Sequence, residues 1–367
     1  NSHLGLSSSF QDSVGYKSLS VYGTTRLFSG DVVSVYVFSE LEQSWIIRGG
    51  SESTFCIQFF SFYNQAPGFS SYLTQEYYIE NNDWNSILKW NAKGKPGLFK
   101  SRTGFSQDVG KFVSICDGIY QFSANLLISA SKSGHYDIGI LLNGVPDGSI
   151  TGADIGSDPQ SLLFSLSMSI SLKLNIGDSV VIVSRGTESY IVKMQSGFFG
   201  ILVNEGGSTP GISSILAAPI VDYGGSWLTI PIPIPTSGYG QFQTPSNSVK
   251  SNGRFSFTQT QIFIISAIIN VQTSSSSLSL ILSLQNDPST FSNQRTGLFT
   301  TNIRTSKNSS YSIAGILELQ AGQPLFIYLY LTSPGTYSIQ PGSRVCVAAV
   351  QQEYESFNVI VPSSVSN

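Results

Sequence analysis

Three aspartates in one glycine-rich stretch are the first candidates for chemistry. NGVPDGSITGADIGSDP (143–159) carries Asp147, Asp154 and Asp158, and oxygen-rich loops of this kind hold calcium. The plainer reading is a solvated loop between strands. Histidine is scarce: with His3 and His135 alone, a histidine-based triad or a multi-histidine zinc site cannot be assembled within one chain. His135, in SGHYD, reads as an ordinary loop residue. Serine makes up about one residue in six, but without a positioned base a serine is only a hydroxyl. The inventory predicts no enzyme and no cofactor other than calcium at the three aspartates.

Other features have equally plain alternatives. KWNAKGKPGLFKSR (89–102) sets Lys89, Lys93, Lys95, Lys100 and Arg102 beside Trp90 and Phe99. Such a pattern suits an acidic surface, a glycan or nucleic acid, and it suits a soluble connector better. Asn308, in N-S-S, is a glycosylation acceptor by pattern, from a sequon short enough to arise by chance. Cys56, Cys116 and Cys346 form no paired framework and read as small buried hydrophobes, with pairing to a separate segment as the alternative.

The elements that would position these residues come from a repeated phrase. RLFSGDVVSVYVF (26–38), LNIGDSVVIVSRG (174–186) and LQAGQPLFIYLYL (319–331) place Gly30, Gly177 and Gly322 at intervals of 147 and 145 residues. That is domain-sized periodicity. A second phrase follows each glycine: SESTFCIQFF, QSGFFGILV and PGSRVCVAAV. The second and third copies also carry GKFVSICDGIYQFSA (110–124) and NGRFSFTQTQIFIISA (252–267), whereas Gly30 stands too close to Asn1 for a counterpart. The expected division is 1–66 as the C-terminal part of a first domain, 67–206 as a second and 207–367 as a third with a tail. An incomplete β-sandwich exposes strand edges. The reading therefore expects the missing part of the first domain to come from the same precursor or a neighbouring chain. NQAPGFSS (64–71) and NEGGSTPGISS (204–214) read as the linkers.

Alternation fixes the class. In SLSMSISLKL (165–174), Leu166, Met168, Ile170, Leu172 and Leu174 alternate with Ser165, Ser167, Ser169, Ser171 and Lys173. A period of two gathers the apolar groups on one face of a strand, where a helix would scatter them. SSLSLILSLQ (276–285) repeats the pattern. Alternate prolines in TIPIPIPTSG (229–238) exclude a central strand there and suggest an extended edge with Ile230, Ile232 and Ile234 pressed down. Charged residues are 11% of the chain against 41% hydrophobic, so polar surface must be built from Ser, Thr, Asn, Gln and Gly. The net charge of −3 gives no drive toward nucleic acid or anionic membrane, and no apolar run reaches the roughly 20 residues a spanning helix needs. The predicted fold is all-β.

Particular residues of the second repeat resemble a known family, the globular C1q-like domain, related to the tumour necrosis factor jelly roll. They are Gly110, Phe112, Gly118, Tyr120 and Phe122, with Cys116 near the family cysteine. Leu174, Gly177, Asp178 and Val180 follow, then Ser196, Phe198, Gly200 and Leu202, with LLNGVP (141–146) between. The third repeat departs from the pattern at Gln261, Phe263 and Gln323, and the first keeps Leu27, Gly30, Asp31, Val33 and Phe55. The resemblance implies tandem ten-strand-type jelly-roll sandwiches, two complete and one N-terminally incomplete. Family members are typically trimeric, so three copies in one precursor imply a covalent pseudo-trimer, its partners held at high effective concentration.

Scarce charge weakens repulsion between identical surfaces. The leading functional expectation is therefore an extracellular structural protein that self-associates into a trimer-like unit and then a matrix or filament. Its serine faces are offered to a mineral such as silica or to a polysaccharide. The alternatives are a secreted C1q-like recognition module, lectin-like and calcium-dependent through Asp147, Asp154 and Asp158, and a viral jelly-roll coat or fibre protein.

Overall fold

The computed structural model describes residues 30–36, 46–47, 50–58, 67–80, 82–92, 99–101, 104–155, 162–206, 210–223, 227–231, 241–244, 249–250, 254–273, 278–285, 298–304, 308–331, 335–350, 356–361 and 365–366. Every regular element among them is a strand. The principal ones are β1 (Gly50–Gln58), β2 (Gly68–Leu73), β3 (Gly118–Ala130), β4 (Gly134–Leu142), β5 (Val145–Ile155), β6 (Leu162–Leu174) and β7 (Ser179–Gly186). They continue with β8 (Gly197–Glu205), β9 (Gly211–Ile215), β10 (Gln261–Thr273), β11 (Asn308–Leu319), β12 (Pro324–Leu331), β13 (Arg344–Ala349) and β14 (Ser356–Val361). All pair antiparallel.

Between Phe69 and Leu202 two sheets enclose one apolar core. One runs β6–β3–β8–β2; the other runs β5–β4–β7. Leu166, Met168, Ile170, Leu172 and Leu174 of β6 all point into that core, each burial contributing about 1.5–3 kcal/mol. Aromatic rings fill its centre: Phe69 stacks on Phe105 at 4.0 Å and meets Phe198 edge-on at 4.8 Å. A second core, between Ile212 and Ala349, is mostly aliphatic and draws on β10, β12 and β13. The Ile230 N–H bonds Ile327 O of β12 at 2.8 Å with its side chain buried, as the reading of the proline stretch expects; Ile232 and Ile234 lie outside the described residues.

The repeated glycine phrase turns out to encode a turn. Gly30, Gly177 and Gly322 have φ of 90°, 90° and 75°, and a Cβ at any of them would meet nothing within 4 Å. Glycine is used there for its left-handed backbone and not for close packing. Asn143 and Gly144 both have positive φ between Leu142 and Val145, the two-residue hairpin geometry that Asn-Gly favours.

Two expectations are corrected. The sequence reading made 64–71 and 204–214 linkers, but Gly68–Leu73 and Gly211–Ile215 are strands. Their glycines and serines imitate turn chemistry because the sites are tight: Ser70, Ser71, Ser213 and Ser214 are buried. The serine face of β6 was expected to be solvent-facing, yet Ser169 and Ser171 are buried. There Gln121 Nε2 donates to Ser169 Oγ at 2.7 Å, Ser171 Oγ donates to Gln121 Oε1, and Ser169 and Ser123 share a bond at 3.1 Å. Buried hydroxyls bonded to one another avoid the desolvation cost that isolated ones incur.

The two halves share a sheet. The pairing of Ala153 with Ser309 joins β5 to β11, giving a continuous order β9–β13–β10–β11–β5–β4–β7.

Candidate functional site

The three aspartates do not converge. What reads as a loop at 145–155 is strand β5, along which Asp147 and Asp154 are separated by about 23 Å at roughly 3.3 Å per residue. One calcium ion binds its oxygens at about 2.3–2.6 Å, so these two cannot share it. Asp158 lies outside the described residues. Among the described residues no group of three His, Cys, Asp or Glu is placed to hold a metal.

Asp147 instead belongs to the junction between the halves. Its Oδ2 accepts from Arg344 Nη1, and both side chains are 0% exposed. Arg344 Nε also donates to Ser213 Oγ at 3.0 Å. Beside them Cys346 Sγ lies 3.3 Å from Ser213 Oγ and reaches Ser171 O across the junction at 3.6 Å. The Gly152 N–H donates to Ser310 Oγ at 2.8 Å, and Ser310 Oγ donates to Asn270 Oδ1 at 2.6 Å. Ile119, Phe242 and Ala348 form a small apolar cluster nearby. Desolvating two charges is costly, and removing one partner of such a pair strands the other in a dry site. The arrangement fixes one mating of the halves and penalises others.

A second polar group lies on the outer face of β4, one strand from β5. His135 Nε2 donates to Asp137 Oδ1 at 2.8 Å, and Arg185 Nε donates to Oδ2 at 2.9 Å. The Asp137 carboxylate is 3% exposed, while His135 and Arg185 are 35% and 36% exposed. The Arg185 guanidinium also lies 4.5 Å over the Trp84 ring. Directly opposite stands Gly152, where a Cβ would fall 2.0 Å from Asp137 Oδ1. With Nε engaged by Asp137 and the guanidinium over an indole, Arg185 is held in place while 36% exposed, and a guanidinium is a donor suited to carboxylate. His135 thus lies in a strand and not in the loop the sequence suggested.

The remaining predicted residues are structural. Asp178 ties two turns together: Asn143 Nδ2 donates to Oδ1 at 2.8 Å and the Asn175 N–H to Oδ2 at 2.7 Å, beside the positive-φ turn of Gly177. Phe198 is in the core. Gly118 and Gly200 lie where a Cβ would meet Asn204 O at 2.4 Å and Phe69 Cε1 at 2.6 Å. Tyr120 OH donates to Cys116 O at 3.0 Å and accepts from Ser114 Oγ at 3.0 Å; burial, and then the Cys116 thiol, push its pKa upward. Tyr190 shares a 2.6 Å bond with Ser184 Oγ and is also raised, by burial first. Trp90 is buried with its indole N–H on Ile87 O at 2.8 Å, so the aromatic of the basic segment serves the core. Lys89 lies 3.9 Å from Asp108 and Lys100 is in the strand Phe99–Ser101, while Lys93, Lys95 and Arg102 lie outside the described residues. Asn308 opens β11 and is exposed. Cys116 and Cys346 are free thiols.

Sequence reasoning missed Arg344, Ser213, Asp137, Arg185 and Trp84. One signal was available for Arg344: it occupies the place in S-R-V that Gly197 occupies in S-G-F, a charge in the middle of an apolar closing phrase.

No family model and no curated protein matches the chain. Among solved structures it is similar to the globular domain of the zebrafish complement 1qA protein. That likeness has 16% identity, covers 38% of this chain and 98% of that one, and has a TM-score of 0.25. It is also similar to a CBM22 tandem domain of Xyn10C from Paenibacillus barcinonensis, at 10% identity over 79% and 100% of the two chains, with a TM-score of 0.20. A Paenibacillus xanthan lyase follows at 13% identity, 66% of this chain, 22% of that one and a TM-score of 0.18. At these scores the likenesses say nothing of what this chain binds.

Proposed function

We propose that this chain is a non-enzymatic extracellular structural protein. Its β-sandwich units, in the divisions 67–206 and 207–367 together with the N-terminal part, form one trimer-like body that associates further with copies of itself. The observation that carries this reading is the junction: a hydrogen-bonded sheet crosses it, and a sealed Asp147–Arg344 pair fixes its register. The Ser213 and Ser310 hydroxyls bond there, so a serine-rich, charge-poor chain has the means to pack sandwich on sandwich. A row across one end of the β3 sheet supports the further association. Tyr78, Ile191, Ser129 and Leu163 stand opposite one another on neighbouring strands, with Tyr78 and Leu163 exposed.

Sedimentation and electron microscopy of the native protein over a range of concentrations test the reading. Regular polymers are expected; a single dispersed particle at every concentration overturns it.

The Arg185–Trp84 surface favours a second reading, recognition of an acidic or polysaccharide ligand. Calorimetry against an acidic glycan, with Arg185→Ala as the comparison, decides it: binding abolished by that substitution supports recognition, and no heat with the native chain removes it.

A further inference from the structure

The closing strand of each repeat lies beside a strand that comes from the next stretch of chain. Phe198 of β8 pairs with Ser71 of β2, Phe199 with Ser70 and Gly200 with Phe69. In the same register Val345 of β13 pairs with Ser214 of β9, Cys346 with Ser213 and Val347 with Ile212. β1, the closing strand of the N-terminal repeat, has a partner too: Phe55 pairs with Val359 of β14, Cys56 with Asn358 and Ile57 with Phe357. Ser196, Ser343 and Ser53 mark equivalent points in the three closing phrases, and counting from them the three sets of pairs superimpose residue for residue. The tail segment SFNVI (356–360) therefore occupies the position of GFSSY (68–72) and GISSI (211–215).

The chain order agrees. After β1 it enters β2, after β8 it enters β9, and after β13 it enters β14. Each closing strand is followed within about a dozen residues by an opening strand, and the last of these returns to the first closing strand. The short pair Ile46–Ile47 with Val365–Ser366 continues the contact between the two ends of the chain.

We infer that β1 is a strand-acceptor edge whose ligand is this chain's own segment Ser356–Val361, so that the N-terminal repeat takes its opening strand from the C-terminal tail. Recognition is by strand addition, in which main-chain hydrogen bonds give affinity and the covalent link supplies high local concentration. Closing the edge removes a template on which other chains would pair. This closure within one molecule stands independently of the self-association proposed above.

Cysteine pairing in the full chain tests it. Adjacent register pairs in an antiparallel ladder alternate between two backbone geometries, and a disulfide tolerates only a narrow range of separations. Two neighbouring pairs are therefore needed: Asn358→Cys against native Cys56, and Phe55→Cys with Val359→Cys in a Cys56→Ser background. Mild oxidation followed by peptide mapping should find a bridge within one chain for at least one pair, with loss of both free thiols. Val361→Cys, which is out of register with Cys56, should keep its thiols. Mixing isotope-labelled and unlabelled Asn358→Cys chains before oxidation distinguishes the source of the strand. Bridges between labelled and unlabelled chains, or no bridge for either pair, overturn the inference.

Discussion

Asp137 and Asp147 stand on the two strands of one hairpin, both carboxylates are buried, and each is paired with an arginine. They differ in the cation. Arg344 is sealed at 0% exposure, while Arg185 is 36% exposed and lies over Trp84. At the junction, with water excluded from both charges, loss of either partner leaves an unsolvated ion, so the pair dictates which surfaces mate. At the outer face solvent screens the guanidinium, and the carboxylate holds the partly exposed His135 and Arg185 in place. The same two residue types make a lock in one place and a display in the other, according to depth.

The largest expected effect tests the lock. Arg344→Leu should cost about 3–5 kcal/mol, measured by denaturant unfolding, whereas Arg185→Leu should cost no more than about 1 kcal/mol. Arg344→Leu combined with Asp147→Leu should recover most of the loss, since no charge is then stranded. Equal costs for the two arginine substitutions would break the comparison.

Gly152→Ala comes next. Its Cβ would fall on Asp137 Oδ1, and relieving that overlap should cost about 1–3 kcal/mol. It should also disturb the His135–Asp137 contact, read from the imidazole NMR signals, because the added Cβ falls against both side chains. Unchanged stability and unchanged imidazole signals would show that the carboxylate is not held by its neighbours as described.

A pH series separates both ion pairs from the cores beneath them. Tyr120, Tyr190 and Tyr337 have phenol pKa values raised chiefly by burial, so folding favours their neutral form. That stabilisation is complete below the unfolded value of about 10 and is lost as pH rises through and above it toward the folded values. Arginine stays charged across this window. Alkaline unfolding should therefore coincide with ionisation of these three phenols, read ring by ring from their NMR signals; ionisation of all three in the folded protein would contradict it.

The smallest effect belongs to an ion pair with neither property. Lys132 and Glu188 meet at 3.2 Å in the open, and Lys132→Ala should change stability by less than about 1 kcal/mol.

Much of the fold could be read along the chain because its signals are local. The alternation of Leu166 to Leu174 with serines sets both the strand and its inward face, since a pleated backbone turns successive side chains to opposite sides. Gly177 and Gly322 announce a turn, since few other residues accept that backbone. The site was much less legible. Asp154 and Asp147 lie near each other in sequence but far apart along an extended strand. Arg344 finds Asp147 from 197 residues away, and nothing near either residue points to the other.

The sequence by itself determined the strand class and the turns, because periodicity and backbone preference act over a few residues. Only the tertiary structure decided which faces are dry. A serine shows its hydroxyl to whatever lies opposite, so Ser169 and Ser171 on β6 become part of a buried network and not a solvent surface only once another layer covers them. Burial likewise assigns the charges their roles, because the cost of an unpaired ion is set by the medium around it and not by the residue that carries it.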